Sequence, residues 1–174
     1  FSEEQMSYYK NLGLQGQTVN VYNWGEYISD GAEDSMNVVG EFERLTGAKV
    51  NYTNYESNEN MYSKLAGGGV SYDVIVPSDY MISRLIDEDM LAEINWSNVP
   101  NIKYIEEQYR NLYFDPEQKY SLCFNVGTTA LIYNKQLVAE KPESWQVLWD
   151  EQYKDKILMF NNSRDAFAIA QAIL

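Results

Sequence analysis

The sequence contains no histidine and a single cysteine, Cys123. Without histidine the chain cannot build a Ser-His-Asp triad, a Cys-His pair or a histidine-based metal site. One cysteine also excludes an internal disulfide and a cysteine-rich zinc site. Because Cys123 lies in an apolar run, we expect a buried spectator thiol. We expect neither a cofactor nor a metal, and carboxylate-only chemistry is what remains open to an enzyme.

Positive charge is also scarce, with 13 Lys and Arg against 26 Asp and Glu and a net charge of −13. A chain this acidic is repelled by a phosphate backbone, so nucleic acid is not an expected partner. The negative field suits a cationic ligand, although acidity serves solubility equally well. No apolar run approaches the roughly 20 residues that a membrane span needs. Residues 1–4 do not resemble a signal peptide, so the protein is either cytoplasmic or has lost a targeting segment.

What the sequence does contain is aromatic side chains, including 15 tyrosines and four tryptophans. Hydrophobic residues make up 45% of the 174 residues, which predicts one ordinary globular domain or two small ones. Aromatic residues fill cores, but they also line sites for organic ligands.

Strands and helices alternate through the first half of the chain. Residues 18–22 alternate like a strand, and apolar residues recur at helical spacing over 36–45. Gly47 stands where a glycine ends a helix, and residues 48–55 alternate again. A strand, a helix and a second strand in this order predict a right-handed parallel crossover.

The same alternation continues to residue 86. A helix that Ser57 or Asn58 can cap runs through Leu65 and ends at the three glycines 67–69, and residues 73–76 form a short buried strand. Ser78 is expected to cap the helix that follows. The predicted fold class is therefore α/β, an open parallel-type sheet flanked by helices.

The pattern becomes less regular after residue 87. The predicted elements are strands at 120–125, 128–134 and 157–160 and helices at 144–149 and 164–174. Ser163 is expected to cap the last helix. A change of domain is expected where the alternation gives way, which divides the chain into residues 1–124 and 125–174.

Polar and aromatic residues directly follow several of the predicted strands. They lie in segments 24–27, 55–58, 78–80 and 161–165. In open α/β sheets ligands bind outside the carboxyl ends of the strands, so these segments are expected to converge. The segment Trp24-Gly25-Glu26-Tyr27 joins aromatic faces to a fixed negative charge, which is what an organic cation requires. The sequence thus predicts one wall of an amine site.

Each segment also has a simpler explanation. Trp24 can be an aromatic plug in a surface turn, Ser78 a helix cap, and Tyr80 a core residue. Asp79 can serve only the helix dipole, and Asn162 can only close a turn. The joint placement at one sheet edge is what favours a binding site over these explanations.

Four ordered motifs run through the chain. They are Val21-Tyr22-Asn23-Trp24-Gly25-Glu26-Tyr27, Tyr55-Glu56-Ser57-Asn58-Glu59, Tyr72-Asp73-Val74-Ile75-Val76-Pro77-Ser78-Asp79-Tyr80, and Ser144-Trp145 with Leu148-Trp149. Together they resemble the bacterial spermidine/putrescine-binding proteins, which serve polyamine ABC transporters. The resemblance implies a periplasmic-binding-protein-like (type II) fold, with 1–124 as a first lobe and 125–174 as a crossover and the start of a second α/β lobe.

The resemblance also implies roles for residues of the first lobe. Trp24 and Tyr27 would pack on the methylene chain and the ammonium ends of a polyamine. Glu26 would pair with one ammonium, while Ser78 and Tyr80 would contribute from the same lobe.

In the second lobe, two acidic positions of the family fall on Asn162 and Asp165. Only Asp165 is charged here, so one ion pair is weakened or replaced by an amide hydrogen bond. Gly25 stands where some members carry a hydroxyl residue, so the exact polyamine stays open. Family members are about twice as long, and we expect this chain to be a piece with an incomplete site. Weak polyamine binding, an exposed sheet edge and dimerisation or swapping are then expected.

The function that the resemblance implies is non-enzymatic. The protein would capture spermidine or putrescine between two lobes, and a membrane permease would recognise the closed form. Its place would be the periplasm or the outer face of the cytoplasmic membrane, with or without a lipid anchor. We expect the signal or anchor segment to lie outside the 174 residues.

Three alternatives remain open. The same fold could hold a sugar, an iron complex or an anion, although an acidic aromatic loop disfavours anions. Glu26 with Asp79 or Asp165 could form a carboxylate pair that acts on a sugar. The chain could also be an assembly module that uses an open sheet edge.

Overall fold

The computed structural model describes residues 2–173. Backbone contacts divide the chain into two compact units, one ending at Phe124 and the other beginning at Asn125. The first unit contains helices α1 (Glu3–Lys10), α2 (Val38–Thr46), α3 (Asn58–Ala66) and α4 (Asp79–Asp87), and strands β1 (Thr18–Trp24), β2 (Lys49–Tyr55) and β3 (Val74–Ile75). Its 3-10 helices are Ala32–Asp34, Trp96–Asn98, Pro100–Tyr104 and Glu107–Tyr109.

The three strands form one parallel sheet in the order β2-β1-β3. β1 and β2 are aligned along their whole length, so that Trp24 lies beside Tyr55 at the carboxyl end. Tyr22 lies beside Ile75 of the short β3. The predicted α/β class with a parallel sheet is confirmed, and β1 extends two residues further than predicted.

Local capping explains where α2 and α3 begin and end. Asn37 Oδ1 accepts a hydrogen bond from Gly40 N at 2.7 Å at the start of α2. Gly47 follows α2 with φ of 74°, the left-handed conformation in which glycine ends helices. Ser57 Oγ accepts from Asn60 N at 3.1 Å and caps α3.

The core of the first unit joins the sheet to α3 and α4. Tyr22 and Tyr55 from the sheet pack with Met61 of α3 and with Met81 and Leu85 of α4. Full burial of a side chain of this size stabilises the fold by about 1.5–3 kcal/mol. This core fixes the helices that follow β2 and β3 against the strands that precede them.

Asp115 organises the segment that closes the first unit. It is only 5% exposed. Its Oδ1 accepts from Lys119 N at 3.0 Å, while Oδ2 accepts from Tyr120 N at 2.9 Å and from Ser121 N and Oγ at 2.8 Å. Burial acts to raise the pKa of Asp115, but these hydrogen bonds outweigh it and hold the pKa below its usual value.

The second unit contains α5 (Ser163–Gln171) and the 3-10 helices Trp145–Trp149 and Glu151–Tyr153. The strands predicted at 120–125, 128–134 and 157–160 are wrong, since none is found there. A strand must pair its backbone groups with a neighbour, and no strand pairing involves the described residues from 125 to 173. Leu158, within the predicted strand 157–160, is 99% exposed.

The last helix begins one residue earlier than predicted. Asn162, not Ser163, is the cap, because its Oδ1 accepts from Arg164 N at 3.1 Å and from Asp165 N at 3.4 Å. Asn162 has extended backbone angles, whereas Ser163 already lies in the first turn of α5.

Candidate functional site

The carboxyl ends of the three strands meet at one edge of the sheet, because the strands are parallel and in register. The segments that leave this edge begin with Trp24 and Tyr55, the last residues of β1 and β2, and with Val76, directly after β3. Three of the four segments singled out in the sequence, 24–27, 55–58 and 78–80, therefore start from a common edge, as expected. The fourth, 161–165, belongs to the second unit and follows no strand.

Aromatic rings form a corner at the end of β1. The ring centre of Trp24 lies 4.7 Å from that of Tyr55 and 6.1 Å from that of Tyr27. Tyr55 is buried and stacks edge-on against Tyr22 at 5.0 Å, whereas Tyr27 is 44% exposed. We call Trp24, Tyr27 and Tyr55 the aromatic corner. Within this corner Tyr27 exposes ring surface to solvent, while Tyr55 is fixed in the core.

Tyr55 holds this corner to the end of the third strand. Its hydroxyl donates a hydrogen bond to the backbone carbonyl of Val76. Burial raises the pKa of the Tyr55 phenol above its usual value, so it stays neutral and remains a donor at physiological pH. The Tyr55 side chain thus connects the carboxyl ends of β2 and β3.

Glu26 brings a carboxylate to the loop between Trp24 and Tyr27. It is exposed, and its φ of 60° lies in the left-handed region that non-glycine residues rarely adopt. Such conformations cost of order 1 kcal/mol. The loop therefore presents a negative charge beside the aromatic corner at a small backbone cost.

A hydrogen-bonded cluster links the segments after β2 and β3. Asn58 Nδ2 donates to Ser78 Oγ at 3.0 Å and to Tyr80 Oη at 2.9 Å, and Asn58 Oδ1 accepts from Ser78 N at 3.1 Å. Tyr80 Oη donates in turn to Glu59 Oε1 at 3.1 Å. We call Asn58, Glu59, Ser78 and Tyr80 the amide–hydroxyl cluster.

Ser78 lies at the cap position of α4, as predicted, but its side chain does not cap the helix. Its hydroxyl contacts Asn58 instead. Tyr80 is half-buried against the core, so the simpler explanation as a packing residue holds in part. Both residues combine a structural contact with a hydroxyl group held at the sheet edge.

Asp79 adds a second carboxylate beside Tyr80. Its Oδ2 accepts from Tyr113 Oη at 2.7 Å, and its Oδ1 accepts from Tyr80 N at 2.8 Å. The hydrogen bond to Asp79 raises the pKa of the Tyr113 phenol. Tyr113 therefore places another exposed ring next to the amide–hydroxyl cluster.

Five of the seven predicted ligand residues thus lie in the segments after β1 and β3: Trp24, Glu26, Tyr27, Ser78 and Tyr80. Asn162 and Asp165 lie at the start of α5 in the second unit, where Asn162 caps the helix. The prediction did not include Tyr55, Asn58 or Glu59 as site residues. Their position at the end of β2 and just after it was the available sequence pattern, since segment 55–58 was expected at the same edge.

Neither a metal-binding cluster nor a membrane-spanning helix is found in the part of the chain that the structure describes. Among residues 2–173, no three His, Cys, Asp or Glu side chains come together as a metal site would require. None of the helices described in this range is long and apolar enough to cross a bilayer.

An open groove of about 710 Å³ lies elsewhere on the first unit. It is lined mainly by polar residues of β1, β2 and the approach to β3, including Asn20, Asn51, Thr53 and Tyr72. The amides line up across the strands, since Asn51 Nδ2 donates to Asn20 Oδ1 at 2.9 Å. None of the seven predicted ligand residues lines this groove.

Comparison with known proteins gives a consistent family. The sequence model of the family described as bacterial extracellular solute-binding protein matches residues 37–173. Spermidine/putrescine-binding periplasmic protein 1 of Haemophilus influenzae is 37% identical over 164 residues, which is 92% of this chain and 44% of that protein.

Two solved structures are similar in backbone as well as in sequence. One is named as a spermidine/putrescine ABC transporter from Listeria monocytogenes, with a TM-score of 0.81 and 36% identity over 88% of this chain and 46% of its own. The other is the spermidine/putrescine ABC transporter substrate-binding protein of Streptococcus pneumoniae, with a TM-score of 0.67 and 38% identity over 79% of this chain and 41% of its own.

The chain therefore spans less than half the length of these relatives. The resemblance drawn from the four sequence motifs is confirmed, and so is the solute-binding-protein fold class. The matched family model covers most of the chain, from the residue before α2 to beyond the end of α5. This protein belongs to the bacterial extracellular solute-binding protein family.

Proposed function

We propose that this chain supplies part of a polyamine-binding site in an extracytoplasmic solute-binding protein of an ABC transporter. The observation that carries the proposal is the aromatic corner, with the exposed Glu26 in the loop between Trp24 and Tyr27. Spermidine and putrescine appear in the names of the relatives, and we propose them as the ligands of this site.

The chemistry of the corner suits an alkylammonium. An ammonium over an aromatic face gains about 0.5–2 kcal/mol, and a carboxylate adds a charge-assisted hydrogen bond. The chain already uses this attraction internally, since Lys64 Nζ lies 4.8 Å from the ring centre of Tyr22. The net charge of −13 would accelerate the encounter with a cation.

The mechanism we propose is capture without chemistry. Trp24 and Tyr27 contact the methylene chain, Glu26 takes an ammonium, and the Ser78 and Tyr80 hydroxyls contribute polar contacts. We take the first unit as a first lobe and the second as the start of another, and we keep Asn162 and Asp165 of the second unit in the proposed ligand set. Extra contact with that lobe would favour a closed form that a permease recognises.

The 174-residue chain itself should bind spermidine weakly. One cation–π contact and one exposed ion pair contribute only a few kcal/mol, which corresponds to a dissociation constant in the millimolar range. Heteronuclear NMR titration of the chain with spermidine, putrescine, a sugar panel and inorganic phosphate tests this directly. Spermidine should shift the signals of residues 24–27 saturably, while the sugars and phosphate should not.

Trp24→Leu should weaken spermidine binding about three- to tenfold, because it removes the best cation–π face. Trp149→Leu is the matched control, since Trp149 is exposed in the second unit. Micromolar binding by the wild-type chain would refute the weak-binding part of the proposal. Tighter binding of a sugar than of either polyamine would refute the ligand class.

Self-association is a second candidate function, favoured by exposed apolar side chains in the second unit. They include Ile132, Leu137, Leu158, Phe160 and Phe167. Large exposed apolar groups mark interaction surfaces or aggregation-prone ones. Light scattering over a range of concentrations would show a rising mass if the chain associates, and a constant monomer mass would reject this candidate.

A further inference from the structure

Asn58 is a buried polar residue at the centre of the candidate site. It is the first residue of α3 and only 1% exposed, although asparagine is usually found at the surface. An unpaired amide in such a place is strongly destabilising, so a buried asparagine needs hydrogen-bond partners. Its partners all lie in the segment after β3.

The side chain of Asn58 uses its two donors and its acceptor on Ser78 and Tyr80. Nδ2 donates to Ser78 Oγ and to Tyr80 Oη, and Oδ1 accepts from Ser78 N. Both hydroxyl groups lie at the start of α4. They are therefore held by one side-chain amide, that of Asn58 in α3.

This arrangement replaces an ordinary helix cap. A serine at this position usually accepts a hydrogen bond from a backbone N–H in the first turn. Ser78 makes no such bond with its side chain, and only its backbone carbonyl accepts, from Met81 N and Ile82 N. The contact with Asn58 thus takes precedence over a local stabilising bond.

The amide also decides where the hydroxyl protons point. Because Nδ2 can only donate, Tyr80 Oη must accept from it and is free to donate its own proton elsewhere. That proton goes to Glu59 Oε1 at 3.1 Å. Ser78 Oγ likewise accepts from Asn58, which leaves its proton and its other lone pair for a different partner.

We propose that Asn58 is a positioning residue that orients the Ser78 and Tyr80 hydroxyls, and through Tyr80 the Glu59 carboxylate, for a ligand at the carboxyl edge of the sheet. The ligand part of this proposal rests on the proposed function. In this proposal Asn58 does not contact the ligand and acts only through the Ser78 and Tyr80 hydroxyls.

A ligand-free measurement tests the orientation first. In a chain labelled with ¹³Cζ-tyrosine, the Tyr80 resonance is assigned by its loss in Tyr80→Phe. Asn58→Ala should shift this resonance, because the phenol oxygen loses a donor. Asn60→Ala, on an exposed residue of the same helix, should leave it in place. If Asn58→Ala does not fold, Asn58→Asp keeps the size and the acceptor for Ser78 N but removes both donors. An unchanged Tyr80 resonance in the folded variant overturns the proposal.

A double-mutant cycle tests the effect on the ligand. Asn58→Ala should weaken spermidine binding about fivefold in the wild-type chain but at most about twofold in a chain that carries Ser78→Ala and Tyr80→Phe. Equal losses in both backgrounds would mean that Asn58 acts only through general stability, which overturns the positioning role. If the wild-type chain binds no polyamine, the proposed function fails, and the Tyr80 resonance still decides the orientation by Asn58.

Discussion

Replacing Asp115 with asparagine should destabilise the first unit by about 3 kcal/mol. The carboxylate accepts four hydrogen bonds, three of them on Oδ2. The best placement of an asparagine keeps its oxygen at those three donors and turns its NH₂ toward Lys119 N. One bond to a charged acceptor, worth about 1.5–3 kcal/mol, is then lost to a donor–donor contact, and the other three lose their charge assistance.

The same substitution predicts a pH dependence with a defined sign. The pKa of Asp115 is lower in the folded chain than the value near 3.9 expected in the unfolded chain. Its ionised form therefore stabilises the fold above about pH 4, and this contribution is lost as the pH falls through the folded pKa. The stability difference between wild type and Asp115→Asn should be constant near neutral pH and should shrink in acid.

Urea unfolding followed by tryptophan fluorescence measures both effects. Trp96 is a local probe, since its indole N–H donates to the Gln118 carbonyl at 2.8 Å within the segment that Asp115 holds. Asp87→Asn is the control, because Asp87 is exposed at the end of α4 and should change stability by less than about 0.5 kcal/mol. An Asp115→Asn chain as stable as this control, or a difference that persists unchanged to pH 3, would refute the reasoning.

Three further substitutions test the fold around the site. Tyr55→Phe should cost about 1–2 kcal/mol in urea unfolding, because the Val76 carbonyl loses the hydroxyl donor. Gly47→Ala should cost about 1 kcal/mol or more in the same assay, since φ is 74° there and a Cβ would lie 3.2 Å from Gln15 Cγ. Asn162→Ala should raise amide exchange at the start of α5 about fivefold, as expected for about 1 kcal/mol of lost capping, whereas Asn162→Asp should preserve protection.

Each of these has a control of the same chemical type. Tyr104→Phe alters an exposed tyrosine, Gly25→Ala places a methyl group in open space, and Asn161→Ala alters the exposed neighbour of the cap. If a control costs as much as its partner, the hydrogen bond, the backbone angle or the cap named above is not the cause.

The sheet and its aromatic edge could be predicted because their patterns are local. Alternation over 18–22, the helix-ending Gly47 and the Ser57 cap are each visible within a few residues. The strand predicted at 157–160 failed because apolar composition alone supplies no pairing partner. Its Leu158 is exposed, whereas the equally apolar segment near Ile75 has β1 beside it.

The amide–hydroxyl cluster shows a different limit. Ser78 could be placed at the start of a helix, but its hydroxyl partner lies 20 residues earlier in the chain. A polar contact between residues far apart in the chain produces no repeating pattern in the sequence. Asn58 was therefore predicted only as a possible helix cap. Its burial and three bonds follow from α3 and α4 packing on the same core.

The capping role of Asn162 at the start of α5 limits which ligand atoms its side chain can bind. Asn162 Oδ1 accepts two backbone N–H groups, which occupies both of its lone-pair directions. What is left is the NH₂ group, which can only donate. An ammonium is also only a donor, so Asn162 in this orientation cannot accept a hydrogen bond from it, and of the two proposed ligand residues at the start of α5 only the Asp165 carboxylate can. The start of α5 can therefore give a cationic ligand its charge partner only through Asp165, while the NH₂ group of Asn162 is left for an oxygen atom.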